Sequence, residues 1–113
     1  MVFDLETTGF SALVDKVIEI GAVKIRNGEI VDRFSTFVNP KVPISFRIEN
    51  LTGISDQMVM GSKTIEEILP EFLEFCEGCV MVAHNAEFDM SFIINNAERQ
   101  GLEFSPSYID TVL

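Results

Sequence analysis

Phe3-Asp4-Leu5-Glu6-Thr7-Thr8-Gly9 sets two acids two positions apart among apolar neighbours. In a β-strand, residues i and i+2 point to the same side of the sheet. Asp4 and Glu6 therefore project together, and Phe3 and Leu5 project from the opposite side. Neighbouring carboxylates repel one another and resist burial unless a positive group sits between them. A hard divalent cation with oxygen ligands is such a group. A strand end with two solvated acids satisfies the same pattern, so these two residues alone leave both readings open. Thr7, Thr8 and Gly9 break the strand. Gly9 has no side chain, so another backbone or a ligand can approach it closely.

Working outward, residues 1–6 read as this first strand. Residues 17–26 and 29–38 read as two more, joined by the hairpin turn Asn27-Gly28 and closed by Asn39-Pro40. The first half is thus antiparallel. Pro40 and Pro43 mark a loop. A short helix over 45–51 leads into Leu51-Thr52-Gly53-Ile54, and Ser55 caps a further turn through Met58. Thr64-Ile65-Glu66-Glu67 fits a capping box. Ile65, Ile68, Leu69, Phe72, Leu73 and Cys76 then recur at helical spacing, a core stripe. Pro70 lies off that stripe, where a kink or a lost hydrogen bond is expected.

Residues 79–83 are continuously apolar, which suits a strand buried on both faces. A helix should follow from about 86 to 100, with Asn85 as its N-cap and Gly101 as its stop. Tyr108-Ile109-Asp110 reads as the last short strand. A hairpin pair followed by helix, strand, helix and strand makes a mixed α/β sheet in a single domain. Ligands in such sheets gather at the carboxyl ends of strands where the strand order switches. A strand at 79–83 lying parallel to the first would bring Glu6 and His84 to one rim. His84-Asn85-Ala86-Glu87-Phe88-Asp89 is the stretch at that rim. There Asp89 gains modest help from the helix dipole and can complete a three-carboxylate site with Asp4 and Glu6. An ordinary strand-to-helix turn accounts for this stretch equally well.

The totals bound the rest. The chain has 113 residues and a net charge of −10, from 18 acids against 8 bases. That balance argues against a broad basic surface for nucleic acid. Affinity for such a substrate would have to come from bound metal, a local groove or another domain. No apolar run is long enough to span a bilayer, and no signal-peptide pattern is present, so a cytoplasmic location and no membrane partner are expected. Cys76-Glu77-Gly78-Cys79 has redox spacing but falls at the end of a predicted helix. Redox pairs gain reactivity at the other end. Cys76 reads as helix core and Cys79 as the start of a strand.

Taken together, Phe3–Gly9, Leu51-Thr52-Gly53-Ile54 and His84–Asp89 resemble, in matching order, the DnaQ-like (DEDD) 3′→5′ exonucleases. The wording is most similar to the proofreading exonuclease domains of bacterial DNA polymerase III of the PolC type. The resemblance implies a ribonuclease-H-like fold. It implies that Asp4, Glu6 and Asp89 are catalytic and bind a pair of Mg²⁺ or Mn²⁺ ions. Thr7, Thr8 and Gly9 would line the terminal nucleotide, and Leu51 and Thr52 would contact its base and sugar. Phe88 would pack near that base or belong to the core, and the helix-entry residues Asn85 and His84 would shape the site more than they catalyse, with Asn85 among the substrate-binding residues. Partners would be a DNA 3′ end, single-stranded or frayed, and a polymerase catalytic region in cis or trans. The chemistry suits the acids: two divalent ions about 4 Å apart can activate water and stabilise both the phosphate charge and the leaving oxygen.

The family carries a later motif with a general-base His or Tyr and a fourth acid. The sequence reaches Leu113 without it, which implies an incomplete exonuclease domain of a larger chain, weak or inactive alone. Asp110 matches the family's preceding strand, and His84 reads as a hydrogen-bonded loop histidine. Three other readings remain: a non-catalytic module binding nucleic-acid ends or a polymerase, an RNA-directed nuclease, and a redox domain using Cys76 and Cys79.

Overall fold

A computed structural model describes residues 1–112. Five strands form one sheet in the order β3-β2-β1-β4-β5. The elements run β1 (Val2–Thr7), β2 (Val17–Arg26), β3 (Glu29–Phe37), α1 (Phe46–Thr52), α2 (Asp56–Val59), α3 (Ile65–Cys76), β4 (Val80–Ala83), α4 (Ala86–Arg99) and β5 (Ser107–Asp110). β1–β2 and β2–β3 are antiparallel, whereas β1–β4 and β4–β5 are parallel. This is the mixed α/β sheet expected, antiparallel first and parallel after, flanked by helices.

The local signals act as their chemistry dictates. Asn27 and Gly28 both take positive φ, 54° and 79°, as a tight hairpin between twisted strands requires. Ser45 caps α1, and Gly53 ends it in the left-handed region at φ 77°. The Thr64–Glu67 capping box opens α3. Pro70 sits on the exposed side of that helix.

One face of the sheet carries the core. Phe3, Leu5, Ile20 and Ala22 are buried with Ile68, Leu69 and Phe72 of α3 and Met90, Phe92, Ile93 and Ala97 of α4. The Phe72 ring lies 6.2 Å from Phe3 and 5.4 Å from Phe34. A second cluster of Ile18, Ile44, Ile48, Ile54 and Val59 seats α1 and α2.

The opposite face is open. Register places Arg33, Val23, Val2, Val82 and Ile109 in one row across all five strands. Val2 and Ile109 in that row are 41% and 55% exposed. This corrects the expectation that strand 79–83 is buried on both faces. Met81 and Ala83 are buried, but Val80 is 49% exposed, because the helices cover only one side.

Candidate active site

Alternation along β1 is as the sequence reading requires. Phe3, Leu5 and Thr7 are buried, Asp4 is exposed and Glu6 is half-buried. Asp4 pairs with Gly21 across the ladder and Glu6 with Glu19, so Glu6 faces a third acid on the neighbouring strand. Asp4 borders an open groove of about 390 Å³ together with Val2, Gly21, Val23, Arg33 and Ser35.

Asp89 comes from the first turns of α4 and is 3% exposed. Burial first, and the charges of Asp4 and Glu6 with it, push its carboxyl up to about 7. Burial also raises the Glu6 carboxyl, with Asp4 and Glu19 adding to the effect. The structure therefore brings the three expected acids within electrostatic reach of one another at one end of β1. As placed, no three His, Cys, Asp or Glu side chains among the described residues form a ready chelating group. The donor set still suits a hard cation: all oxygen, mutually repelling, with one member forced towards its protonated form.

The neighbouring expectations divide. Thr7 is buried, and its hydroxyl donates to the Gly9 carbonyl at 2.7 Å. Thr8 braces the loop through Asp15 and Lys16. The group that approaches Gly9 is neither backbone nor ligand: a Cβ there would lie 2.5 Å from Asp15 Oδ2. Phe88 is half-buried and bridges two rings, with Phe92 at 5.2 Å and the exposed Phe10 at 6.2 Å. Leu51 is 70% exposed on α1. The Thr52 hydroxyl donates to the Ile48 carbonyl and accepts from the Ile54 N–H, so it serves the end of its own helix.

Asn85 precedes α4 but does not cap it. It adopts the left-handed conformation, φ 59° and ψ 52°, and its side chain makes no cap hydrogen bond. Asp110 takes that role from the end of β5. Its Oδ1 accepts the N–H groups of Asn85 at 3.0 Å and Val112 at 2.9 Å. Those backbone donors, Val112 first, hold its carboxyl below the usual carboxylate range. Sequence reading missed this because the partners lie 25 residues apart. His84 is the hydrogen-bonded loop histidine expected, with Nδ1 3.0 Å from the Thr111 hydroxyl. β1 also runs on past the end of β4, since Val2 pairs with Val82, so the two strand ends do not coincide.

A cavity of about 620 Å³ lies at the far end of the sheet, beside Cys76, Cys79, Val80 and Ser107. The two cysteines are free. Burial pushes the Cys76 thiol up to about 12, opposite to what a redox pair requires. No helix among the described residues is long and apolar enough to cross a membrane.

A family model described as exonuclease, of the RNase T type, matches residues 1–113. The chain belongs to the DnaQ-like exonuclease family. It is 56% identical over 112 residues to a PolC-type DNA polymerase III of Caldanaerobacter subterraneus subsp. tengcongensis, covering 99% of this chain and 8% of that protein. The PolC-type polymerase of Thermotoga petrophila is 47% identical over 113 residues, with the same coverage on both sides. The chain thus spans about 8% of the length of these curated relatives. Among solved structures, exonuclease X in complex with 5′ overhanging duplex DNA matches at 31% identity and TM-score 0.71, over 97% of this chain and 58% of that one. Exonuclease I shares the fold at TM-score 0.84 and 14% identity, over 96% of this chain and 28% of that one.

Proposed function

We propose that this chain is the exonuclease domain of a PolC-type replicative polymerase, removing nucleotides from the 3′ end of DNA with the help of two Mg²⁺ or Mn²⁺ ions. The observation that carries the reading is that Asp4, Glu6 and Asp89 lie close enough for their charges to act on one another. The PolC-type relatives supply the polymerase context, and with it a cytoplasmic setting and a polymerase region as partner. The likeness to exonuclease X in complex with 5′ overhanging duplex DNA supports DNA as substrate.

In this reading Asp4, Glu6 and Asp89 hold the divalent ions, which supply an activated water and charge stabilisation at the phosphate. With the Asp89 carboxyl pushed up to about 7, a cation binding there would compete with a proton. Thr8 and Gly9 shape the turn on which the terminal nucleotide rests. The open groove on the uncovered face gives a strand access to Asp4. Cation charge also offsets the repulsion between a chain of net charge −10 and a phosphate backbone.

A gel assay tests this. The full-length protein carrying this chain is given a 5′-labelled single-stranded oligonucleotide with Mn²⁺ or EDTA, beside Asp4→Ala. We expect a ladder shortening from the 3′ end, dependent on Mn²⁺ and reduced at least about a hundredfold by the substitution. An intact oligonucleotide with binding retained supports the non-catalytic reading instead. Faster decay of a matched RNA oligonucleotide would move the substrate to RNA.

A further inference from the structure

The loop that follows Glu6 is clamped at two points. Inside it, Asp15 folds back under the turn. Its Oδ2 accepts the Ser11 N–H at 3.0 Å and its Oδ1 accepts the Thr8 hydroxyl at 3.3 Å. Thr8 Oγ1 in turn accepts the Lys16 N–H at 2.9 Å, and the Thr8 N–H donates to the Lys16 carbonyl at 2.8 Å. Any side chain at position 9 would displace the Asp15 carboxylate. Gly9 is therefore the residue that lets Asp15 fill the turn.

The second clamp comes from outside. Arg99 Nη2 donates to the carbonyls of Ala12 at 2.9 Å and Leu13 at 3.2 Å, across 86 to 87 residues of chain. Arg99 ends α4, and Asp89 lies near the start of the same helix. At 1.5 Å per residue, about 15 Å of helix separates them. One stiff element thus carries a site carboxylate at one end and the anchor of the β1–β2 loop at the other. Neither Asp15 nor Arg99 forms an ion pair among the described residues. Their hydrogen bonds go to the loop itself.

We propose that Asp15 and Arg99 are positioning residues for the nuclease reaction. They fix loop 8–16 against α4, so that Thr8 and Gly9 keep their place relative to Asp89. The assignment rests on the nuclease reading above. Loosening the clamp lets the turn wander, which weakens the hold on the terminal nucleotide before it alters the acids.

The test is steady-state kinetics of the full-length protein on a single-stranded oligonucleotide, well below its unfolding temperature. Arg99→Gln should raise KM about five- to tenfold and change kcat less than about twofold. Arg99→Lys should recover part of the loss, because its ammonium keeps donors for these carbonyls but on a shorter stem without the preorganised planar guanidinium. Amide exchange should quicken in residues 9–15 of Arg99→Gln and stay unchanged in the β2–β3 hairpin. A cycle of Gly9→Ala and Asp15→Ala should be non-additive in KM, the glycine change costing less once the carboxylate is gone. Wild-type constants in Arg99→Gln, or a loss confined to kcat, overturn the assignment. If Arg99→Gln does not fold, additive effects in the cycle overturn it as well. A wild-type protein that cuts nothing overturns the nuclease reading and this assignment together, an outcome distinct from failure of the clamp, in which the wild type is active.

Discussion

Asp89→Asn should stabilise the metal-free protein above neutral pH, although it removes a proposed ligand. Asp89 is 3% exposed, no cation pairs with it among the described residues, and its carboxyl is pushed from the ordinary 3.8 to about 7. Between these values the folded state holds a proton that the unfolded chain has lost. Stability therefore falls as pH rises through this window and levels off above about 7. The gap corresponds to about 4 kcal/mol, an upper figure, since the site can relax and admit water. That is a large fraction of the 5–15 kcal/mol typical of a domain. Asparagine carries no charge and has no proton to lose. Denaturant unfolding in EDTA at pH 4 and pH 8 reads the effect. The wild type should lose several kcal/mol between the two, and Asp89→Asn distinctly less, so that the variant is the more stable at pH 8. Excess Mn²⁺ should narrow or reverse the order, because only the wild type binds the ion fully. A variant equal to or weaker than the wild type at pH 8 in EDTA would refute the claim that Asp89 is strained by burial and like charge.

Three further outcomes are expected of this protein. Mn²⁺ affinity by calorimetry should rise up to about tenfold per pH unit from pH 5 to 7, as cation displaces the Asp89 proton, and flatten above; a flat profile over that range would argue against the displacement. Phe72→Ala should cost about 4 kcal/mol in denaturant unfolding, since Phe72 is fully buried between Phe3 and Phe34. Thiol labelling of the native protein at pH 8 should modify Cys79 quickly, while Cys76, buried and with its thiol pushed up to about 12, reacts only on unfolding.

Much of the fold was legible because its signals are local. Alternation in β1, the Asn27-Gly28 turn and the α3 stripe each require only neighbours in sequence, and each element formed where its pattern sits. The acids were legible for the same reason: Asp4 and Glu6 share a face by spacing alone. What escaped were partners brought together by topology. Asp110 replaces Asn85 as the cap of α4, and Asp15 occupies the space beside Gly9 that was expected to receive a ligand or another backbone. The apolar run at 79–83 does not reveal that one face of β4 is left open, because hydrophobicity alone does not say which face a helix covers. Glu19 became visible beside Glu6 only once the β1–β2 register was known.

We propose above that Asp4, Glu6 and Asp89 form a divalent-cation site. Anomalous diffraction from crystals of the full-length protein grown with Mn²⁺ tests it most directly. Two manganese peaks contacting Asp4, with Glu6 and Asp89 drawn onto them, are predicted, and Asp4→Ala should abolish both. Manganese bound elsewhere, or an ordered site in which the three carboxylates contact no metal at saturating Mn²⁺, would contradict it.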